Sequence, residues 1–371
     1  MTAARSEASF VQTLPGRYYY EPAIYERELA RIFSEMWVCV GRADRLPSGG
    51  MYCAVTVGTE SVLVIRDRDG SLRAFFNVCR HRGARLCSAA SGQLKGSIQC
   101  RYHAWTYGLD GRLLGAPNVL DLAGFDRATY GLFPVALEVW EGLIWLNLAP
   151  EPASFVAQVH APILERFGTL EPFQRYHMGD LRSGTSITYE VQANWKLVLE
   201  NFLECYHCAP MHPEFCALLP GFKSGQIYAG DESASLAEGI EAFSMSGKAS
   251  RSPLPGLSET EARSYYGIVV SPNVLLNFLP DHLVMHTLFP TSPTTCQVVC
   301  DWLFAADEVA RPDFHPQDTV EIFDLVNRQD WEVCELTQLG MFSRAYASGG
   351  VYVPAEAHIR ELADFILSRL A

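Results

Sequence analysis

Cys79-Arg80-His81 and Cys100-Arg101-Tyr102-His103, with eighteen residues between them, constrain this 371-residue chain more than any other feature. Each half brings one thiol and one imidazole close together, and each follows a short β-rich run. Two loops at one end of a sheet could therefore close on a shared centre. Structural zinc can use two Cys and two His, but its sites usually pair Cys with Cys at one end and His with His at the other. A Rieske [2Fe–2S] centre needs a Cys pair on one iron and a His pair on the other, which one of each per loop supplies. Imidazole in place of thiolate raises the potential, so such a centre accepts an electron and hands it on without bond chemistry. A terminal acceptor must lie elsewhere.

The segment from Asn194 to Pro213 offers one. Its pattern predicts a helix over Asn194–His212, on which Glu204 and His207, three apart, share a face. His212 lies five beyond His207, about 140° round an unbroken helix. Pro210 must distort or end the helix between them, bringing His212 back towards the same metal. Two histidines and a carboxylate leave open positions on iron, the arrangement of non-haem Fe(II) oxygenases. The bland alternative is two core histidines beside a surface Glu.

The rest of the chain bounds the answer. From Gly49 to Leu148 short β runs (51–57, 61–66, 74–78, 97–99, 106–107 and 142–147) alternate with turn signals such as Asp69-Gly70, which predicts antiparallel hairpins. After Pro150 helical and strand patterns mix, with helices over 153–167, 320–342 and 355–370 and strands over 183–192, 267–279, 283–290 and 297–306. Residues 228–260, rich in Gly, Ser and Pro, predict a long loop or lid. A net charge of −13 argues against a nucleic-acid partner, since phosphate binding needs a basic face. No apolar stretch reaches the roughly 18 to 20 residues of a membrane span, and Met1–Phe10 lacks a signal-peptide core, so no membrane and a cytoplasmic location are expected. Eleven scattered cysteines then point to reduced thiols or metal ligands rather than disulfides.

Asn77-Val78-Cys79-Arg80-His81-Arg82-Gly83, Cys100–Trp105 and the Glu204/His207/His212 spacing resemble the alpha (oxygenase) subunits of Rieske non-haem iron oxygenases, and the likeness runs from Leu14-Pro15-Gly16-Arg17 to the C-terminal helix. The chain lacks the extra cysteines of respiratory Rieske proteins, with Ala84 and Tyr102 in their places, and Cys87 reads as a buried thiol. The resemblance implies an α+β fold: a small antiparallel all-β Rieske domain (38–150), a larger α+β catalytic domain (151–371) with an antiparallel sheet and flanking helices, and an N-terminal helical segment (1–37) packing on the latter. It implies that Cys79, His81, Cys100 and His103 hold the cluster, that His207 and His212 bind mononuclear iron, and that Glu204 bridges towards a Rieske histidine of a neighbouring subunit, with Asn201 in support. Among Glu321, Asp324, Asp330, Glu332 and Glu335, the third iron ligand by the same likeness is Asp330, in Gln329-Asp330-Trp331-Glu332.

The likeness is closest to members that hydroxylate N-methyl groups of quaternary ammonium compounds (glycine betaine, proline betaine, carnitine, choline), releasing formaldehyde. An aromatic-ring hydroxylating oxygenase is the alternative, and a pure Rieske electron carrier is a third reading, opposed by the second set of metal ligands. A cation of that kind calls for aromatic faces. Tyr206 and Phe278 are nominated, with core packing the competing role. The chain carries no GxGxxG and no plant-type ferredoxin Cys run, so a separate NAD(P)H-dependent flavin/iron–sulfur reductase is expected to deliver electrons. The resemblance also implies a homotrimer, a head-to-tail ring closed by a heterologous contact.

Overall fold

The computed structural model describes residues 11–119, 122–225 and 234–371. The chain divides into two compact units, Leu29–Pro162 and a discontinuous one made of the residues before Leu29 with Ile163–Ala371. The first unit is wider at both ends than the 38–150 block read from the sequence, and it takes in Leu29–Trp37, placed there in the N-terminal segment.

The first unit is all-β apart from short helical turns. Its strands are β1 (Val38–Arg42), β2 (Met51–Val57), β3 (Glu60–Arg66), β4 (Leu72–Phe76), β5 (Ser91–Gln93), β6 (Ser97–Gln99), β7 (Thr106–Gly108), β8 (Leu113–Gly115), β9 (Pro134–Trp140) and β10 (Leu143–Asn147). They form a seven-stranded sheet ordered β1-β10-β9-β4-β3-β2-β5 and a three-stranded sheet β6-β7-β8. Leu63 and Ile65 of β3, Ile98 of β6 and Tyr107 of β7 share one buried cluster with Cys79 and Cys100. The two Cys–His loops therefore spring from a packed core.

The second unit contains α1 (Pro22–Glu28), α2 (Ala161–Phe167, at the unit boundary), α3 (Glu171–Arg175), β11 (Arg182–Val191), α4 (Trp195–Phe202), α5 (Cys208–Met211), α6 (Pro213–Leu218), β12 (Ala234–Ser235), β13 (Ser264–Val270), β14 (Val274–Phe278), β15 (Leu283–Ser292), β16 (Thr295–Phe304), α7 (Ala306–Val309), α8 (Gln317–Met341) and α9 (Ala357–Leu370). Its sheet is antiparallel, ordered β11-β16-β15-β14-β13-β12. The mixed α+β class and the antiparallel sheets are as the sequence led one to expect.

Helix α4 is pinned at its start. Asn194 caps it through a bond from the Lys196 amide, and the Asn194 amide donates to Gln338 of α8 at 2.8 Å. Lys196, fully buried, places its ammonium 2.6 Å from Glu28 of α1, whose other oxygen accepts from the Trp195 indole. Removing one partner of such a pair costs about 3–5 kcal/mol, because the other charge stays buried.

The expected lid lies partly outside the described residues, at 228–233. Its described part is tied down: β12 pairs with β13, Phe243 is buried, and Arg251 is ion-paired with Asp281 and Asp318. Among the described residues no helix is long and apolar enough to cross a membrane.

Candidate metal centres

The two Cys–His loops of the first unit are built alike. The Cys79 amide donates to the Ala84 carbonyl and the Cys100 amide to the Trp105 carbonyl, both at 2.8 Å and both five residues on. Each loop closes through a left-handed residue four after its Cys, Gly83 (φ 71°) and Ala104 (φ 57°). Glycine takes that conformation freely, whereas alanine there costs about 1–2 kcal/mol. The His81 and His103 rings lie 4.6 Å apart, His81 stacks on Trp105, and both cysteines are buried. Burial, with the charges of His81 and Arg82, holds His103 below its usual pKa, keeping it neutral as a ligand must be.

The Nδ1 atom of His103 is buried with no hydrogen-bond partner. An orphaned nitrogen beside a second imidazole and two buried thiols fits a cluster with mixed ligands. Two supports escaped the sequence reading. The Tyr107 hydroxyl sits 3.3 Å from Cys79 Sγ, and Asn77 ties the first loop by accepting from the Leu86 and Cys87 amides. Cys87 is a free, buried thiol outside both loops.

The second site departs from the helix expected over Asn194–His212 with its distortion at Pro210. Helix α4 stops at Phe202, and Glu204 and His207 lie in the non-helical turn before α5, so they share no helix face. Pro210 does not make the break either. It lies in the first turn of α5, where a missing N–H is harmless. The second break falls at His212 (φ −123°, ψ 63°), because Pro213 bars its predecessor from helical backbone and then starts α6.

These breaks gather the expected residues. Asp330 of α8 puts Oδ1 at 2.9 Å from His212 Nε2 and 3.3 Å from His207 Nε2. Glu204 accepts from His207 Nδ1 at 2.5 Å and from the Tyr206 and His207 amides. Gln329, beside Asp330, accepts from His212 Nδ1 at 2.7 Å. Both imidazoles thus turn Nε2 towards the same point. Asn201 Nδ2 lies 3.4 Å from His207 Nε2. Gln329 was visible only as a neighbour of Asp330, since its role depends on which way α8 faces.

Burial works against a charged His207, but bonds to Asp330 and Glu204 outweigh it and carry its pKa up to about 10. Burial likewise opposes the Asp330 charge, yet hydrogen bonds with His207 and His212 hold it below the usual carboxylate range. Two converging imidazole nitrogens facing one ionised carboxylate, in a site that attracts positive charge, are a donor set that non-haem iron fits.

The other acids do other work: Asp324 accepts from Tyr189, and Glu335 from the Gln192 amide. One expectation about cysteine fails. Cys205 and Cys208 form a disulfide, because the turn at Glu204–His207 sets their Cα atoms 4.9 Å apart, inside disulfide range. Cys208 therefore has no thiolate to offer the histidines beside it.

A cavity opens under these ligands, lined by Phe215, Tyr265, Asn277, Phe323 and Trp331 among others. Tyr206 and Phe278 are not in its wall. The Tyr206 side chain points outward and is 60 % exposed. Strand alternation turns Leu275 and Asn277 of β14 to the cavity and Phe278 to the opposite face, where it packs on Tyr266 and Tyr176.

A paired-loop Cys/His unit and a two-histidine, one-carboxylate unit in one chain define an iron-dependent oxygenase of the Rieske type. Residues 36–126 match the Rieske [2Fe-2S] domain family, and residues 178–371 match the ring hydroxylating alpha subunit (catalytic domain) family. The chain belongs to this family of Rieske oxygenase alpha subunits, whose cofactors are a [2Fe–2S] cluster and a mononuclear iron. It is 30% identical over 396 residues to the glycine betaine monooxygenase oxygenase subunit of Chromohalobacter salexigens, covering 96% of this chain and 86% of the relative. It is 32% identical over 343 residues to the carnitine monooxygenase oxygenase subunit of Escherichia coli K12, covering 91% and 86%. A quaternary ammonium Rieske monooxygenase solved with gamma-butyrobetaine superposes with a TM-score of 0.76 at 25% identity, covering 98% of this chain and 96% of that one.

Proposed function

We propose that this chain is a monooxygenase that hydroxylates an N-methyl group of a quaternary ammonium compound and releases formaldehyde. The carrying observation is the cavity: aromatic rings of Phe215, Tyr265, Phe323 and Trp331 line it beside the iron-binding trio, with no lysine or arginine among its described lining residues. Faces of that kind hold a cation that cannot itself donate a hydrogen bond. The relatives named for glycine betaine and carnitine support the same substrate class.

Cys79, Cys100, His81 and His103 hold the cluster in this reading, and His207, His212 and Asp330 the iron. When bound and reduced, the iron supplies the oxygen activation. One oxygen atom ends in the substrate C–H bond; the other leaves as water with two electrons and two protons. The hydroxylated methyl group then departs as formaldehyde. Glu204 and Gln329 fix the tautomers of His207 and His212, and Asp330 keeps its charge between them. Asn201 steadies His207 from the side.

Electrons come from a separate NAD(P)H-dependent flavin/iron–sulfur reductase, and the protein works as a cytoplasmic homotrimer. In the ring, Glu204 faces His81 or His103 of the neighbouring subunit and couples one chain's cluster to the next chain's iron. Mixing Cys79→Ser with His207→Ala subunits should restore activity in the mixed ring. Restoration failing, with mixed assembly verified, would count against transfer between subunits. The reaction itself is tested by supplying a reductase, O2 and either a methylated ammonium compound or an arene. Formaldehyde from the former is expected; oxidation of the arene alone would return the aromatic-ring reading.

A further inference from the structure

Beside the iron-binding trio the cavity has a polar wall, built by Asn277 of β14, His286 of β15, and Asn327 and Trp331 of α8. Almost all of its donors are spent. Asn277 Nδ2 donates to the Val284 carbonyl at 3.1 Å and to His286 Nδ1 at 3.4 Å. His286 Nε2 donates to Asn327 Oδ1 at 2.9 Å, and Asn327 Nδ2 donates to the Tyr189 hydroxyl and to Cys300 Sγ. The Asn277 carbonyl accepts from Tyr265 at 2.7 Å. Each Asn carbonyl still keeps a second lone pair. The exception among the donors is Trp331: its indole N–H is buried with no acceptor.

The wall is also uncharged. Burial pushes His286 down to about 4, so it is neutral at working pH. None of the described residues lining the cavity is a lysine or arginine, and Lys196, Arg251 and Arg328 are paired with Glu28, with Asp281 and Asp318, and with Asp324. One unspent donor beside acceptor lone pairs, with no countercharge, matches a group that both accepts and donates. A hydroxyl does so. A carboxylate only accepts, and would be buried against carbonyl oxygens without a cation.

We infer that the substrate is an N-methylammonium cation whose far end is an uncharged hydroxyl, held between the Trp331 indole N–H and the Asn327 carbonyl, and that carboxylated analogues are disfavoured. This rests on the N-demethylation reading above and narrows it.

Three probes separate the possibilities: choline, ethyltrimethylammonium (the same cation without the hydroxyl) and glycine betaine. Formaldehyde release by the wild-type holoenzyme with a reductase should give choline a kcat/KM at least about tenfold above either other probe. Trp331→Phe keeps a ring and removes the N–H. It should lower the kcat/KM ratio of choline over ethyltrimethylammonium about fivefold, a ratio in which any change to the binding of the shared ammonium group cancels. Cluster absorption and iron content report whether the variant is intact. Glycine betaine turned over as well as choline, or a Trp331→Phe effect equal on both hydroxylated and deoxy cations, overturns the inference and leaves N-demethylation standing. No formaldehyde from any of the three overturns the N-demethylation reading, and this inference with it.

Discussion

The two metal-binding regions reach the same end by opposite routes. In the β unit, two loops of the same design each present a Cys and a His, and the four candidate ligands lie within 25 residues, from Cys79 to His103. Their backbone closes the loops through the paired Cys amide bonds and the left-handed residues Gly83 and Ala104. In the α+β unit the candidate ligands His207, His212 and Asp330 come from separate segments, and His212 meets Asp330 across 118 positions. That site depends on two breaks in a helical run and on the facing of α8. A local site is set by loop geometry, a distributed one by tertiary packing.

The largest expected effects test whether the two regions are independent. His207→Ala should lower turnover by at least about a thousandfold while the Rieske absorption and reduced-state EPR signal survive. Cys79→Ser should abolish that signal and leave iron at the second site, read as iron per chain. Loss of both metals in either variant would show the regions to be coupled. Next come the groups that orient the iron ligands. Glu204→Gln and Gln329→Leu should each cost about 10- to 100-fold in iron affinity or activity, measured by iron titration and turnover. Equal effects would mean that the two imidazoles matter alike; a larger one at Glu204 would agree with its further role between subunits.

A smaller effect concerns burial behind the distributed site. Burial lifts Glu200 of α4 to about 7, although a bond from Tyr19 and the charge of Lys196 oppose it. A carboxylate with a raised folded pKa binds more protons folded than unfolded between its ordinary value and about 7. Stability must therefore fall as pH rises through that window and level off above it. Glu200→Gln should remove this slope, gaining on wild type by about 3 kcal/mol between the two ends, as denaturant melts at each pH would show.

The smallest effect compares the two cluster loops with each other. A Cβ at Gly83 would meet nothing within 4 Å, so Gly83→Ala costs only backbone strain. It should destabilise by about 1 kcal/mol, and Ala104→Gly should stabilise by a similar amount. Thermal midpoints moving in the same direction would mean that the loops are less alike than their hydrogen bonds imply.

Legibility followed the same division. The strands 51–57 and 97–99 and the pairing of the two Cys–His loops could be read from the sequence because alternation, turn residues and paired spacing are local signals. The short strands β1, β5 and β8 and the seven-residue β9 went unread, since they gain order from neighbours rather than from their own pattern. At the iron site His207, His212 and Asp330 could be named from a resemblance, and the structure brings them together. The route could not be read: Pro213, not Pro210, sets the bend, because a proline constrains the residue before it. Trp331 and Gln329 gained meaning only once α8 was seen to face β14 and β15 with one side and α4 with another.

The ion pair between Glu28 and Lys196 has a consequence for module exchange. The catalytic unit is interrupted in sequence by the cluster unit, so a graft of a foreign cluster module has two seams, after Glu28 and before Ile163. A cut drawn at residue 178, where the catalytic family match begins, would discard Glu28 and leave a buried ammonium and an indole N–H without their acceptor. Chimeras that keep α1 with the catalytic half should hold α4 in place, and those that exchange α1 along with the cluster module would need a carboxylate supplied at that position.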